Sequence, residues 1–489
     1  MTARAIMLMG TGSEVGKSLI ATGLCRAFAD RGLKVRPFKP QNMSNNAAVT
    51  VEGGEIGRAQ ALQARAARAP ASVHMNPVLL KPETNTGAQV IVQGRHTETL
   101  SAREFFTSRE RYLPAILDSY HHLAREADLI VVEGAGSPAE INLRAGDLAN
   151  MGFAEVADLR AILIGDIARG GVIASIAGTF HVLAEQDKAR LQGFIVNNFR
   201  GDPSLFDEGV DFLERETGTG CLGVVPYFGS ARKLPAEDAV SLEHARSFGK
   251  GALRIAVLRL TRIANFDDLD PLKLEPGVTL TIVQPGEPIP GNSDLVIVPG
   301  SKSTVADLAE LRHQGWDIDL AAHVRRSGAV LGLWGGYQML GTAVHDPQGL
   351  EGAPGSADGL GMLAVETVLT PDKRLKRVNG THIASGMPIS GYEMHLGETE
   401  GPDCARPFAL IGGTGEGAVS ADGRVIGSYL HGCFASDAFR AAFLKSLGAP
   451  IGGLAFEATV ERVLDELSNH LAHHLDIDRI LALASEVKI

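Results

Sequence analysis

The sequence predicts an α/β protein made of two doubly wound domains, each built on a parallel β-sheet. In both halves, short apolar runs of strand length alternate with segments whose apolar residues recur at helical spacing. Polar motifs directly follow several of these strands, and the carboxyl ends of parallel strands are where such sheets bind ligands. The chain has 489 residues, which is too long for one hydrophobic core.

The bulk composition excludes several classes of function. A formal net charge of -11 argues against a general nucleic-acid-binding protein, because phosphate contacts need a basic surface. No window has the roughly 18 apolar residues of a membrane span, and the N-terminus lacks a signal peptide. The four cysteines show no CxxC spacing, so structural zinc is not expected. We therefore expect a cytoplasmic protein without a membrane or nucleic-acid partner, and homo-oligomer formation is left open.

The periodicity sets the expected domain boundaries. It fades between Tyr227 and Leu253, and a new apolar strand begins at Leu253. Beyond Phe456, apolar residues recur at helical spacing. We predict a first domain at residues 1–230, a linker at 231–252, a second domain at 253–445 and a helical tail at 446–489.

The first strand, at residues 5–9, leads into a glycine-rich loop and then a helix. Backbone N–H groups of such a loop face phosphates, Lys17 neutralises their charge, and the Ser18 hydroxyl can ligate Mg²⁺. The spacing is one residue longer than the common pattern, and the alternative is a glycine turn that only opens a helix. The candidate ATP-binding residues are Gly10, Thr11, Gly12, Gly16, Lys17 and Ser18.

The next strands add a metal candidate and a polar loop. Residues 129–132 form an apolar strand that ends on Glu133, so Glu133 and Ser18 are the predicted Mg²⁺ ligands. The alternative is that Glu133 only caps the loop after it. Lys39–Asn46 follows an earlier strand and is rich in amides; it is either a functional loop or a turn that bonds its own backbone. Further strands are expected at 161–166 and 193–198.

In the second half, a strand at residues 295–298 precedes Gly300-Ser301-Lys302-Ser303. A second phosphate loop would need another glycine at the right distance. The preferred interpretation is a turn whose N–H groups face a developing oxyanion, as acyl transfer requires.

The run Gly328–Gly341 has the pattern of a nucleophile elbow, in which a sharp turn between strand and helix exposes one side chain. The residue at the tip is Trp334, whose indole cannot act as a nucleophile. A strand at 424–430 then delivers His431, which is either an ordinary histidine or a catalytic base. Cys433 is not on an elbow and is not expected to replace the missing nucleophile.

Together these motifs resemble those of the cobyric acid synthases, the glutamine-dependent amidotransferases of cobalamin biosynthesis. The resemblance covers nearly the whole chain and rests on residues 10–18, 38–46, 133–143, 391–395 and 429–432. It implies a P-loop domain of the dethiobiotin-synthetase type followed by a class I, triad-type glutamine amidotransferase domain. The implied reaction is the ATP-dependent amidation of carboxylates b, d, e and g of adenosylcobyrinic acid a,c-diamide.

The resemblance also implies roles for single residues. In the family a cysteine occupies the position of Trp334, His431 is its base, and Gly300 and Gly335 are expected oxyanion donors. Corrinoid contacts are expected near Asn42 and Glu140. Because Trp334 replaces the cysteine, we expect amidation with free ammonia, or no amidation at all. The alternatives are an ordinary glutamine-using enzyme and a non-catalytic homologue that binds nucleotide or corrinoid.

Overall fold

The computed structural model describes residues 2–82, 87–235, 246–352, 354–371, 374–449 and 453–488. The chain divides into two compact units. The first comprises Met1–Ser44, Thr50–Leu234 and Val460–Ile489, and the second comprises Asn45–Val49 and Pro235–Thr459. Each unit has its own seven-stranded, mainly parallel sheet and its own buried core. This arrangement confirms the predicted α/β fold with two parallel sheets.

Six parallel strands form the main sheet of the first unit. Their order across the sheet is Gly220–Pro226, Leu191–Phe199, Ala161–Asp166, Arg4–Gly10, Leu129–Glu133 and Val35–Phe38. All five residues of Leu129–Glu133 are buried, as expected for a central strand covered by helices on both faces. Because Arg4–Gly10, Leu129–Glu133 and Val35–Phe38 are parallel neighbours, their carboxyl ends lie at the same edge of the sheet. The phosphate loop follows the first of these strands, and Glu133 is the last residue of the second.

The helices of the first unit cover this sheet. They are Lys17–Asp30, Arg58–Ala66, Ala102–Ser108, Leu113–Glu126, Met151–Val156, Val172–Val182, Glu185–Lys188, Asp207–Thr217 and Ile477–Leu483. Local sequence explains where several begin: Ser101 and Glu104 form a reciprocal capping box, and Pro114 lies in the first turn of Leu113–Glu126. A smaller sheet contains Gln41–Met43, Val78–Pro82, Gly87–Val92 and Arg95–Ser101, and Glu55–Gly57 is a further short strand.

Val460–Ile489, which lies within the helical tail predicted at 446–489, belongs to the first unit. The helix Phe456–His474 buries an apolar stripe, and a Cβ added at Gly23 would lie 2.4 Å from a methyl carbon of Leu471. Ser485–Glu486 then pairs antiparallel with the strand Arg4–Gly10. The physical reason is that an apolar stripe on a single helix needs a partner surface.

The main sheet of the second unit has antiparallel strands only at its two edges. Its order is Ser247–Phe248, Val278–Val283, Leu253–Leu258, Leu295–Val298, Ala329–Leu333, Val425–Ser428 and Ala418–Val419. The strand predicted to run from 424 to 430 ends at Ser428. Leu430–His431 instead pairs with Pro388–His395 in another sheet. The residue between them, Tyr429, is therefore where the chain passes from one sheet to the other.

The remaining elements of the second unit surround this sheet. Its helices are Asp270–Leu274, Thr304–His313, Trp316–Arg325, Gly335–Leu340 and Asp437–Ser446. One smaller sheet contains Ala343–Asp346, Gly355–Asp358, Glu366–Val368 and Glu398–Glu400, and another contains Arg374–His382, Pro388–His395, Ala409–Ile411, Thr414–Glu416 and Leu430–His431. Ala47–Val49 is a short strand. Among the described residues, no helix is both long enough and apolar enough to cross a membrane.

Leu467→Ala is expected to destabilise the first unit by about 2–5 kcal/mol, because it opens a cavity beneath a fully buried side chain. Urea unfolding followed by hydrogen exchange at the amides of Arg4–Gly10 measures the effect. Leu205→Ala is the matched control, since Leu205 is 82% exposed. Equal effects of the two substitutions would show that the C-terminal helix does not support this unit.

Candidate functional site

The phosphate loop is held in a conformation that requires glycine. Gly16 has φ +92°, and a Cβ added there would lie 2.1 Å from Asn197 Nδ2. Asn197 Nδ2 donates to Val15 O at 2.9 Å, which fixes the loop from another strand of the same sheet, Leu191–Phe199. Within the described residues no side chain caps the helix that begins at Lys17. Its first amides are therefore suited to an anion, as the sequence predicts for a phosphate.

Lys17 lies across this loop. Its Nζ donates to Gly12 O at 2.8 Å and to Gly136 O at 3.0 Å. A Cβ added at Gly10 would lie 2.8 Å from the same Nζ, so only glycine leaves room for the ammonium group. Thr11 N donates to Ile164 O, which ties the start of the loop to the adjacent strand. The structure thus brings the predicted ATP-binding residues together around one ammonium group.

Glu133 is fully buried and receives donors from three other elements. Ser18 Oγ donates to Oε1 at 2.7 Å, Lys39 Nζ donates to Oε1 at 2.8 Å, and Gln63 Nε2 donates to Oε2 at 2.5 Å. None of these partners belongs to the loop that follows Glu133. The Ser18 hydroxyl and the Glu133 carboxylate are hard oxygen donors side by side, which is the ligand chemistry that Mg²⁺ prefers.

Sequence analysis missed two of these partners, Lys39 and Gln63. Lys39 follows the strand Val35–Phe38, which is the direct neighbour of the strand that ends on Glu133. The sequence shows that Lys39 directly follows a strand, but it does not show that this strand lies beside the one that ends on Glu133. Asn42, in the same polar loop, donates from Nδ2 to Gln60 Oε1 at 3.0 Å and also accepts from Met43 N. Asn42 thus bonds the backbone of its own loop, and the functional interpretation of this loop stays a prediction.

The predicted elbow is present between the strand Ala329–Leu333 and the helix Gly335–Leu340. Trp334 has φ 47° and ψ −109°, and its N–H donates to Ser428 O at 2.9 Å. A Cβ added at Gly336 would lie 1.9 Å from Val298 O, so the glycine allows the helix to pass this close to the sheet. The Trp334 side chain is 2% exposed, and its Nε1 finds no partner in the described part of the chain.

His431 is oriented by a carboxylate that the sequence did not reveal. Its Nδ1 lies 2.7 Å from Asp268 Oδ2, and Asp268 also accepts from Gly432 N. The Asp268 carboxylate can accept a hydrogen bond from Nδ1–H, and in that tautomer the free lone pair of the imidazole is on Nε2. Nε2 has no partner among the described residues, and the Trp334 ring lies edge-on at 5.8 Å. This geometry resembles the base-and-orienting-acid pair of a nucleophilic site, and the catalytic role of His431 stays a prediction.

Gly300 and Gly335, the glycines expected to donate to an oxyanion, lie beside and within the elbow. A Cβ added at Gly300 would be 3.0 Å from Trp334 Cε3 and 3.5 Å from His431 Cε1, and one at Gly335 would be 3.0 Å from Ser301 N. Their role as oxyanion donors stays a prediction. The turn that follows Gly300 is not arranged for a phosphate, because Thr304 N donates to the Glu351 carboxylate at 2.6 Å.

Cys433 is buried beside this site, and burial raises the pKa of its thiol well above the ordinary value. A thiol that stays protonated is a weak nucleophile. This agrees with the expectation that Cys433 does not replace the missing cysteine.

Glu416 connects the elbow to the strand that carries His431. Its carboxylate accepts from Ser428 Oγ at 2.9 Å and from Tyr429 N at 2.6 Å, at the point where the chain changes sheets. Ser428 O in turn accepts from Trp334 N. Burial raises the pKa of Glu416 to about 7, against the opposing effect of the Tyr429 N–H.

Comparisons with known proteins identify the family. The nucleotide-binding domain of the CobQ/CobB/MinD/ParA type matches residues 6–242, and the CobB/CobQ-like glutamine amidotransferase domain matches residues 254–439. The cobyric acid synthase of Cereibacter sphaeroides is 62% identical over 98% of this chain and 99% of its own length. That of Methylobacterium nodulans is 60% identical over 99% and 100%, and that of Rhodobacter capsulatus is 59% identical over 98% and 99%.

The chain belongs to the cobyric acid synthase family. The resemblance inferred from the motifs is confirmed, as is the order of a nucleotide-binding domain followed by a glutamine amidotransferase domain. Members of this family are amidotransferase ligases of the cobalamin pathway.

Glu416→Gln is expected to make stability less dependent on pH. The native pKa of about 7 exceeds the ordinary value of 4.5, so the contribution of Glu416 is present below pH 4.5 and is lost as pH rises through 7. The variant should therefore gain roughly 1 kcal/mol per pH unit relative to wild type across that interval. Urea midpoints measured from about pH 5 to pH 8 test this.

Glu366→Gln is the control for removing one negative charge, since Glu366 is 65% exposed. If the difference between Glu416→Gln and wild type stays constant with pH, Glu416 does not titrate as described.

Proposed function

We propose that this chain amidates carboxylates b, d, e and g of adenosylcobyrinic acid a,c-diamide in an ATP-dependent reaction, with free ammonia as the nitrogen source. The observation that carries this proposal is the contrast between two centres. The phosphate loop, Lys17 and Glu133 form a connected polar site, whereas the elbow beside His431 holds a buried indole.

Carboxylate activation is supported by the first centre. A carboxylate is a poor acceptor for an amine, so the γ-phosphate of ATP is first transferred to it to give an acyl phosphate. Loop amides and Lys17 would hold the phosphates. Lys39, whose Nζ donates to the Glu133 carboxylate, supplies a second ammonium group to this centre. Ser18 and Glu133 would hold Mg²⁺, which supplies further positive charge to the transferred group. Because the reaction consumes ATP, we expect it in the cytoplasm.

The corrinoid is expected near the two loops that follow the strands Val35–Phe38 and Leu129–Glu133. These strands are neighbours in the sheet, so their loops begin at the same edge. Next to Asn42 and Glu140, they expose Met43 and Ile141, whose side chains are 61% and 59% accessible. Apolar side chains exposed beside a polar centre suit the largely apolar face of a corrin ring.

The second centre supports free ammonia as the nitrogen source. Glutamine hydrolysis of this class requires a thiolate at position 334, and an indole supplies none. The Trp334 ring lies edge-on to the His431 imidazole, with ring centroids 5.8 Å apart. Ammonia that reaches the acyl phosphate directly would displace phosphate and form the amide without a glutaminase step.

Wild type is expected to form product with ammonium and none with glutamine, as measured by ADP release and by mass spectrometry of the corrinoid. Trp334→Cys should restore glutamine-dependent product, because it supplies a thiol at the tip of the elbow, where the Trp334 ring now lies beside the imidazole of His431. Trp334→Ser is the matched control, since it removes the same bulk without providing a thiolate, and it should use ammonium only.

Full glutamine activity of wild type would refute the proposed nitrogen source. If neither nitrogen source gives product although ATP and corrinoid bind, the chain is a non-catalytic binding homologue.

Lys39→Met is expected to lower the ammonium-dependent rate by about 10²-fold or more, because it removes a positive charge from the activation centre and leaves Glu133 buried without its cation. Lys34→Met is the control, since Lys34 is an exposed lysine just before the same strand. Initial rates of ADP release give the comparison. A wild-type rate in Lys39→Met would remove Lys39 from the mechanism.

A further inference from the structure

A second cavity lies in the second unit, apart from the elbow. Its volume is about 480 Å³, and it is lined by residues of the strands Arg374–His382 and Pro388–His395, by the segment 397–400 and by Tyr429. Trp334, His431 and Gly300 are not among its lining residues. Its size lies in the range of sites that bind small molecules.

Charged side chains of both signs line this cavity. Arg374 and Lys376 supply two cations from one strand, and Glu393, Glu398 and Glu400 supply three carboxylates. Within the part of the chain that the structure describes, none of these five side chains makes an ion pair or a hydrogen bond. Opposite charges thus face one cavity without neutralising each other, and a ligand that carries both charges would complement them.

A buried imidazole adds a second, independent observation. His395 is 3% exposed and lines the cavity, and its Nδ1 has no partner among the described residues. It lies two residues after Glu393 on the same strand, so both side chains project from one face. Burial lowers the pKa of His395 to about 3, so the ring is neutral and offers a hydrogen bond and not a charge. An unpaired buried polar atom costs about 1–3 kcal/mol, which a polar ligand group would offset.

The cavity wall is coupled to the elbow. Tyr429 stacks on His395 with ring centroids 3.8 Å apart, and its hydroxyl accepts from Gln338 Nε2 at 3.1 Å. Gln338 lies on the helix that follows Trp334, and Tyr429 is two residues before His431. A ligand in the cavity would therefore contact the residues that hold the elbow and the histidine in place.

We propose that this cavity binds a free α-amino acid with a polar side chain. The α-carboxylate is placed at Arg374 and Lys376, the α-ammonium group at the glutamate carboxylates, and the polar side chain towards His395. The zwitterion accounts for the unpaired charges of both signs, and the polar side chain accounts for the unpartnered imidazole nitrogen. This inference concerns binding and does not depend on which nitrogen source the chain uses.

Equilibrium dialysis of the full-length protein with radiolabelled L-glutamine and L-glutamate tests the proposal. We expect saturable binding of at least one of them at a single site. Glutarate, which lacks the ammonium group, should compete about tenfold less well or worse, because a charge-assisted hydrogen bond is lost. Competition by glutarate as strong as that by the amino acid, or no saturable binding of either amino acid, would overturn the proposal.

Variants locate the site. Arg374→Ala and Glu393→Gln should each weaken binding about tenfold or more, and His395→Phe should weaken it as well. Arg254→Ala, which removes an exposed arginine of the same unit, should leave binding unchanged. Melting temperatures check that each variant is folded.

His431→Gln distinguishes this cavity from the elbow and should also leave binding unchanged. Binding that is lost in His431→Gln but kept in Arg374→Ala would place the amino acid at the elbow and refute the second site.

Discussion

The close passage of the elbow helix over the sheet determines what position 334 can do. Gly336 lies against Val298 O, and Trp334, two residues before it, has a positive φ of 47° at the turn between strand and helix. For a bulky side chain that conformation costs on the order of 1–3 kcal/mol, so the strain is a property of the glycine-flanked turn and not of the residue it displays. The side chain at the tip can therefore change without moving the turn. Trp334 retains the geometry of a nucleophile site and removes its chemistry.

The Glu133 carboxylate of the first centre and the ring nitrogens of the second differ in whether they have hydrogen-bond partners. Both carboxylate oxygens of Glu133 accept hydrogen bonds from side chains of other elements, so that centre is organised before any ligand arrives. At the elbow, Trp334 Nε1 and His431 Nε2 are both buried, and neither has a partner within the described ranges. The Asp268 carboxylate still fixes the orientation of the His431 imidazole, although Trp334 carries no hydroxyl or thiol from which that imidazole could take a proton.

The sequence predicted the parts of the structure that depend on local pattern. The phosphate loop, the strand ending on Glu133 and the elbow at Trp334 each occupy a few consecutive residues, and each is present. Asp268 could not be found in this way, because 163 residues separate it from His431 and nothing near it marks a catalytic carboxylate. Lys39 and Gln63 required the strand order and the placement of a helix. The buried Glu416 accepts a hydrogen bond from Tyr429 N at the point where the chain changes sheets. In the sequence, residues 424–430 have the pattern of one continuous strand, so this change of sheet was not predicted.

The placement of Val460–Ile489 in the first unit sets the order in which the chain can fold during synthesis. The strand that leads into the phosphate loop is made first, yet its antiparallel partner at Ser485–Glu486 emerges only after the entire second unit. Until then the apolar surface around Gly23 lacks the helix that covers it, and exposed surface of this kind is a target for chaperones and for aggregation. Nucleotide-binding competence should accordingly appear only after residues 460–488 have been synthesised. The second unit, encoded in one nearly continuous stretch, can mature before the unit that precedes it.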